Sequence, residues 1–253
     1  MAKSAPTSSS PSVIAVIPAR YAATRLPGKP LADIHGKPMI QWVWEAARKA
    51  KSLTQVLIAT DDERILRAAQ AFGAEVVLTD PALPSGTDRV AVVAEKNKGD
   101  IYVNIQGDEP LMDPETIDAA VDLVVGGKFA MGTAMTPIAD RSELDNQAVV
   151  KVIADRNGRS IYFSRLPIPY SRGGVPGRPE AYICQRHLGI YTYTRETLFR
   201  IRSLVPSAIE QGEVLEQLRA VEDGIAIGIR QVSCRSFGID TPEDLDRVRK
   251  ILG

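Results

Sequence analysis

The sequence is poor in the residues that build metal cages and covalent cross-links. It has two cysteines, Cys184 and Cys234, two histidines, and no CxxC pair in 253 residues. That composition disfavours a zinc site. One disulfide is allowed by count, but a reduced cytoplasmic protein is the more economical reading. No apolar run reaches the length of a membrane-spanning helix. No charge excess exists either: 31 Lys and Arg balance 31 Asp and Glu. This argues against a dedicated nucleic-acid surface, so phosphate binding would have to come from local clusters. The first turn lacks the GxGxxG fingerprint, and a Walker lysine loop is missing, which disfavours a dinucleotide cofactor. No internal repeat is visible. Residues 1–12 are polar, rich in Ser and Pro, and without the apolar centre of a signal peptide; a disordered tail is expected there.

What is present is an alternating α/β rhythm. The continuous apolar run at 13–17 reads as a strand buried on both faces and 56–59 as a second buried strand, with third and fourth strands at 76–78 and 101–105. Between them, helical spacing is expected over 39–50, from Asp61-Asp62-Glu63 to the glycine at 73, and after a cap at Ser85 or Thr87. In the first of these helices, Trp44 shares the spacing of Ile40, Val43 and Ala47, which favours core packing over a ligand platform for the tryptophans. A further helix spans 114–125 and a strand lies near 131–136. Short βα connections of this kind predict a mostly parallel, doubly wound sheet.

The rhythm then changes. Segments 149–154 and 160–163 flank an Asn157-Gly158 turn and predict a hairpin. Residues 164–179 are irregular and too long for an ordinary connection. A β-like run follows at 188–193, then an amphipathic helix at 210–221, β segments at 225–230 and 232–236, and a last helix capped by Thr241 with Pro242 at its first position. The stretch 149–193 is expected to be a β-rich insertion, serving as a lid or dimer surface, within a single domain over 13–253.

Several residues stand out chemically. Arg20, Arg25 and Lys29 lie just after the first strand, where open α/β sheets bind ligands. Guanidinium forks and an ammonium there suit a polyphosphate. The Pro84-Ser-Gly-Thr-Asp-Arg89 loop can cap a helix, contact a base or ribose, or do both. Asp108, at the end of the fourth strand, fits either a capped glycine turn or a divalent cation. Its place opposite a basic loop favours the cation. Asp240 lies just outside the last helix cap and could complete such a site. His187 sits near Arg165 and Arg186, which raises the odds of an acidic substrate. A solvated helix face is a sufficient account of Glu213, Glu216 and Gln217.

With these segments in view, the chain resembles the 3-deoxy-manno-octulosonate cytidylyltransferase (CMP-Kdo synthetase) family from residue 13 to the C-terminus. The motifs that carry the resemblance are IPARYAATRLPGKPL, PSGTDR, VNIQGDEP, VKVIADRNG followed by YFSR, RHLGIYTY, EVLEQLR and GIDTPEDL. The resemblance implies a Rossmann-like nucleotide-diphospho-sugar transferase fold, a homodimer, Mg²⁺ dependence, and no nucleic-acid or membrane partner. The implied reaction joins CTP and Kdo to give CMP-Kdo and pyrophosphate for lipopolysaccharide assembly. By the same resemblance, Arg20 and Lys29 would hold the triphosphate, with Arg25 assisting. Ser85, Arg89 and Gln106 would lie near the cytidine or the reacting groups. Asp108 and Asp240 would bind Mg²⁺, and Arg165, His187, Tyr191, Glu216 and Gln217 would surround Kdo. The 169–181 loop departs from the family pattern. A cytidylyltransferase for another sugar acid, such as 8-amino-Kdo or sialic acid, is the related alternative. A sugar-1-phosphate nucleotidyltransferase would usually carry a Gly-rich first loop, which PARYAATR is not. A nucleotide-binding module without chemistry would be expected to lack one of Lys29, Asp108 and Asp240.

Overall fold

A computed structural model of the chain describes residues 10–22, 26–138, 140, 142–170, 184–234, 236 and 238–253. The strands are β1 (Val13–Ala19), β2 (Asp33–Ile34), β3 (Lys37–Pro38), β4 (Gln55–Thr60), β5 (Glu75–Leu78), β6 (Ile101–Ile105), β7 (Met131–Pro137), β8 (Lys151–Ala154), β9 (Ser160–Ser164), β10 (Gln185–Thr194) and β11 (Ile227–Gln231). The helices are α1 (Met39–Ala47), α2 (Glu63–Ala71), α3 (Gly86–Lys96), α4 (Pro114–Val125), α5 (Ser142–Asp145), α6 (Arg195–Ser203), α7 (Ala208–Glu213), α8 (Gln217–Glu222) and α9 (Pro242–Leu252). A short 3-10 turn covers Lys29–Leu31.

The apolar run of β1 makes it the centre of the molecule. Its successive side chains point to opposite faces of the sheet, so a strand apolar throughout needs cover on both. Val13, Ala15 and Ile17 pack with residues of α1, α2 and α4 on one face. Ile14 and Val16 pack with residues of α3, α6 and α8 on the other. Each buried aliphatic side chain contributes on the order of 1.5–3 kcal/mol by leaving water, which makes this sandwich the main source of stability. Trp44 belongs to the first face, 5.2 Å from the ring of Phe72. Trp42 donates its indole N–H to the carbonyl of Ile34. Both tryptophans are therefore packing residues.

The main sheet runs β11-β7-β10-β6-β1-β4-β5, with β8 joined to β10 and β9 to β8. β1 pairs in parallel with both β4 and β6, and β4 with β5. β10 is antiparallel to β6 and to β7, while β7 and β11 are parallel to each other. Every strand of the main path except β10 therefore points the same way. The chain winds outward from β1 to β4 and β5, then crosses back to β6 on the other side of β1. Ligand sites in open α/β sheets form where the winding reverses, beyond the strands' carboxyl ends. Here that crevice lies between the loops after β1 and β6.

The hairpin expected at Asn157-Gly158 is present as β8 and β9, with Gly158 at φ 76°. Two expectations fail. The helix read over 210–221 is two short helices, because Val214 adopts a left-handed conformation at φ 53° and ends α7. Glu213 and Gln217 therefore do not share a helix face. The second β segment, over 232–236, is not a strand at its described positions, 232–234 and 236. Arg25 and nearly all of the 169–181 loop lie outside the described residues, as do residues 1–9 of the N-terminal tail. Cys184 and Cys234 are buried in different core clusters. Among the described residues, no helix is long and apolar enough to cross a membrane.

Candidate active site

Two clefts open at the carboxyl edge of the sheet. The smaller, about 250 Å³, is lined by Arg20, Lys29, Gly86, Arg89, Gln106 and Asp108, among others. The larger, about 690 Å³, includes Arg165, Arg186, His187, Tyr191, Gln217 and Asp240 in its wall. Gln106 and Asp108 belong to both. The loop after β6 is thus the wall between two compartments and is open to each.

Lys29 stands at the head of this wall. The 3-10 turn it begins is entered through Gly28, whose φ of 68° suits glycine. Its Nζ donates to Asp108 Oδ2 at 2.6 Å and to Asp240 Oδ1 at 3.2 Å. Burial works against the ammonium, but the two carboxylates, Asp108 foremost, outweigh it and hold the Lys29 pKa above the ordinary lysine value. Residues 108 and 240 are far apart in the chain, yet the N–H of Ile239 donates to the carbonyl of Asp108 at 2.9 Å. Asp240 precedes the capping box in which Thr241 and Asp244 start α9. The two acids therefore meet because a strand end and a helix start are stitched together by backbone.

The loop of Ser85 is held from two sides. Ser85 caps α3 by accepting from the N–H of Asp88. Its hydroxyl donates to Glu216 at 3.0 Å, as does that of Thr87. Burial raises the Glu216 pKa, and these two hydrogen bonds oppose the rise. Glu216 is thereby turned toward the Ser85 loop, and its carboxylate links the elements of the two compartments. Arg89 is fully buried and pairs with Asp61 at 2.6 Å. It also donates to Thr79 Oγ1. Arg20 donates to the carbonyl of Leu83. Burial, followed by the nearby Arg89 charge, lowers the Arg20 pKa.

In the larger cleft, Arg165 spends its guanidinium on the carbonyls of Glu213, Gln147 and Val214. It braces the wall while lining it. His187 shares a hydrogen bond of 2.9 Å with Thr133 and lies 5.3 Å from the ring of Tyr191. Burial, assisted by Arg186, pushes its pKa down to about 3. His187 is therefore uncharged near neutral pH, and Arg165 and Arg186 supply the cations of this cleft. Gln217 is buried, and its Nε2 has no hydrogen-bond partner among the described residues. An unpaired buried amide is costly unless something else accepts from it.

Glu109 was missed by sequence reasoning. It is 8% exposed, lines the larger cleft, and accepts from Ser236 Oγ at 2.8 Å. Burial, then the neighbouring Asp108 charge, raises its pKa to about 7. The signal was available in Gly107-Asp-Glu-Pro110, where a second acid follows the first, but sequence alone does not tell which way that acid turns.

A small basic cleft, a second cleft with cations and an unpaired amide, and the Asp108 carboxylate on their shared wall with Asp240 beside it are the parts a two-substrate centre needs. The cytidylyltransferase family model matches residues 14–227. The chain belongs to the cytidylyltransferase family. It is 48% identical over 242 residues to the 3-deoxy-manno-octulosonate cytidylyltransferase of Anaeromyxobacter dehalogenans (strain 2CP-C), covering 95% of this chain and 97% of that protein. It is 44% identical over 243 residues to the enzyme of the same name from Geobacter metallireducens, covering 93% and 96%. A solved CMP:2-keto-3-deoxy-manno-octonic acid synthetase complexed with CTP superposes with a TM-score of 0.88 at 40% identity, covering 95% of this chain and 98% of that one. The Rossmann-like nucleotide-diphospho-sugar transferase fold expected from the sequence is therefore the fold of this cytidylyltransferase, and nucleotidyl transfer is its reaction class.

Within that cytidylyltransferase frame, Arg20, Lys29, Arg89, Gln106 and Asp108 are gathered on one side, and Arg165, His187, Tyr191, Gln217 and Asp240 on the other. Ser85 and Glu216 bond each other between them.

Proposed function

We propose that the chain transfers CMP from CTP to the anomeric hydroxyl of 3-deoxy-D-manno-octulosonate (Kdo), releasing pyrophosphate, to supply CMP-Kdo for lipopolysaccharide assembly. The observation that carries the reading is the shared wall: Gln106 and Asp108 face both clefts, so a nucleotide in one and a sugar acid in the other would meet there. Arg20 and Lys29 would hold the triphosphate, with Arg25 assisting from outside the described residues. Arg89, buried on Asp61, would act as a fixed charge beneath it. Arg165 and Arg186 would attract the sugar's carboxylate, and the unpaired Nε2 of Gln217 would donate to a sugar hydroxyl. His187 and Tyr191 would give the cleft its shape.

In the reaction the anomeric oxygen forms a bond to the α-phosphorus as the bond to the pyrophosphate oxygen breaks in line. The hydroxyl proton goes to solvent or to a neighbouring base. The cations of the loop after β1 stabilise the charge that builds on the leaving oxygens. Asp108 and Asp240 also fit a divalent cation: both are hard oxygen donors, and an ammonium already bridges them. Mg²⁺ held there would neutralise the triphosphate and lower the pKa of the attacking hydroxyl.

The test is pyrophosphate release from CTP, with Kdo, 8-amino-Kdo and sialic acid supplied side by side, with and without Mg²⁺. The expected result is Mg²⁺-dependent release with Kdo, abolished by Asp108→Ala and by Asp240→Ala. No release above background from folded protein would overturn the reading, and faster turnover of another sugar acid would replace its substrate.

A further inference from the structure

Glu109 lines the larger cleft next to Asp108, and contact with neither substrate accounts for it. Its carboxylate makes two contacts, and its backbone supplies a third link. It accepts from Ser236 Oγ at 2.8 Å, on the segment that leads to Asp240. It accepts from the backbone N–H of Gly189 on β10. Its own backbone follows Asp108. Gly189 suits this arrangement for a steric reason: a Cβ there would overlap Glu109 Oε1 and come within 3.0 Å of Gln106 Cγ. The strand is irregular at this point. Pairing with β7 stops at Leu188 and resumes at Thr192, and pairing with β6 covers Ile190 to Thr194. The carboxylate of Glu109 lies where the ladder is interrupted. One buried side chain thus joins the loop of Asp108, the approach to Asp240, and the strand that carries His187 and Tyr191.

We propose that Glu109 is a positioning residue for the transfer reaction: through Ser236 and Gly189 it sets the spacing of the Asp108 and Asp240 carboxylates and seats the sugar-side strand against them. The inference rests on the reading of those two acids as a cation site. A buried carboxylate bearing two hydrogen bonds is costly to remove, because the partners are left unsatisfied. Side chains that orient ligating groups typically change metal affinity about 10–100-fold when lost.

The experiment compares wild type, Glu109→Ala, Glu109→Gln and Ser236→Ala. Turnover is measured against Mg²⁺ and CTP concentration, and Mn²⁺ binding is titrated calorimetrically with CTP present. Glu109→Ala is expected to raise the half-saturating Mg²⁺ concentration and weaken Mn²⁺ binding by about 10-fold or more. The CTP KM at saturating metal should stay within about 3-fold, because the phosphate-side cations are untouched. Glu109→Gln, which keeps one acceptor, should fall between, and Ser236→Ala should move the same way by less. Wild-type metal dependence in folded Glu109→Ala overturns the proposal. Should that variant not fold, wild-type metal dependence in Ser236→Ala does so. A wild-type enzyme indifferent to Mg²⁺ would instead overturn the cation reading itself, and the proposal with it.

Discussion

His187 and Glu109 are both buried titratable groups on one cleft, yet burial drives them in opposite directions. A buried imidazole resists gaining charge, and a buried carboxyl resists losing its proton. His187 falls from 6.5 to about 3, with burial the first cause. The unfolded chain therefore binds a proton that the folded one refuses, and this contribution to stability is lost as pH falls from about 6.5 toward 3. Glu109 rises from 4.5 to about 7. Its contribution is complete below the unfolded value and is lost as pH rises toward 7. Across the overlap the two slopes oppose each other, so the wild-type profile alone hides both. The melting temperature of wild type minus that of His187→Gln, taken in metal-free buffer, is expected to shrink steadily on acidification below pH 6.5. A difference constant with pH would mean that His187 titrates as it does in water.

At the scale of elements, the critical piece is the loop after β6. Gly107 lies against the end of β1, and a Cβ there would sit 2.5 Å from the carbonyl oxygen of Pro18 and 3.4 Å from Ile40 Cδ1. Backbone cannot yield to such a contact as a flexible side chain can, so the loop itself must move. Gly107→Ala should shift Asp108 off Lys29 and reduce kcat about 10²-fold, in line with the cost of misplacing a reacting group by about 1 Å. The stability loss should stay within a few kcal/mol, because the severe contact is with one backbone oxygen and the core side chains of Ile17 and Ile40 are met only at 3.4–3.5 Å. Steady-state kinetics and thermal unfolding of the one variant measure both. Unchanged kcat would mean that the close approach has no part in placing Asp108.

At the scale of the whole molecule, the parallel half was legible and the remainder less so, for a physical reason. Strands buried on both faces announce themselves as apolar runs, as at β1 and β6 and over most of β4, while β5 was legible from its short apolar run although it is a partly exposed edge strand. Cap and first-turn residues marked α2, α3 and α9 equally well. The 210–221 segment misled because its helical spacing carries no sign of the left-handed turn at Val214. The candidate acids were placed by motif, but the mutual contact of Ser85 with Glu216 spans 131 positions, which periodicity cannot reveal. The insertion of β8 and β9 extends the sheet beyond β10 and leaves Ile161 and, just past its end, Leu166 exposed. Exposed apolar side chains on an added hairpin suit contact with a second copy of the chain. Sedimentation at micromolar concentration should give a dimer, and Ile161→Lys with Leu166→Lys should shift it toward monomer. A wild-type monomer would refute that assignment.

Lys29 gives the centre one further property. An acid pair that met without a counter-ion would repel, and the loops of Asp108 and Asp240 would then depend on metal to stay together. Here the chain carries its own monovalent counter-ion, so the loops can assemble without metal. If the two acids hold Mg²⁺ as proposed, loading it would be an exchange in which a divalent ion takes the place of an ammonium. The ammonium so released would sit on a side chain that already lines the smaller cleft. Exchange is favourable when incoming phosphates are there to receive it. On that reading the metal would arrive with the nucleotide as one package, and order of addition would follow from charge balance in a three-residue cluster.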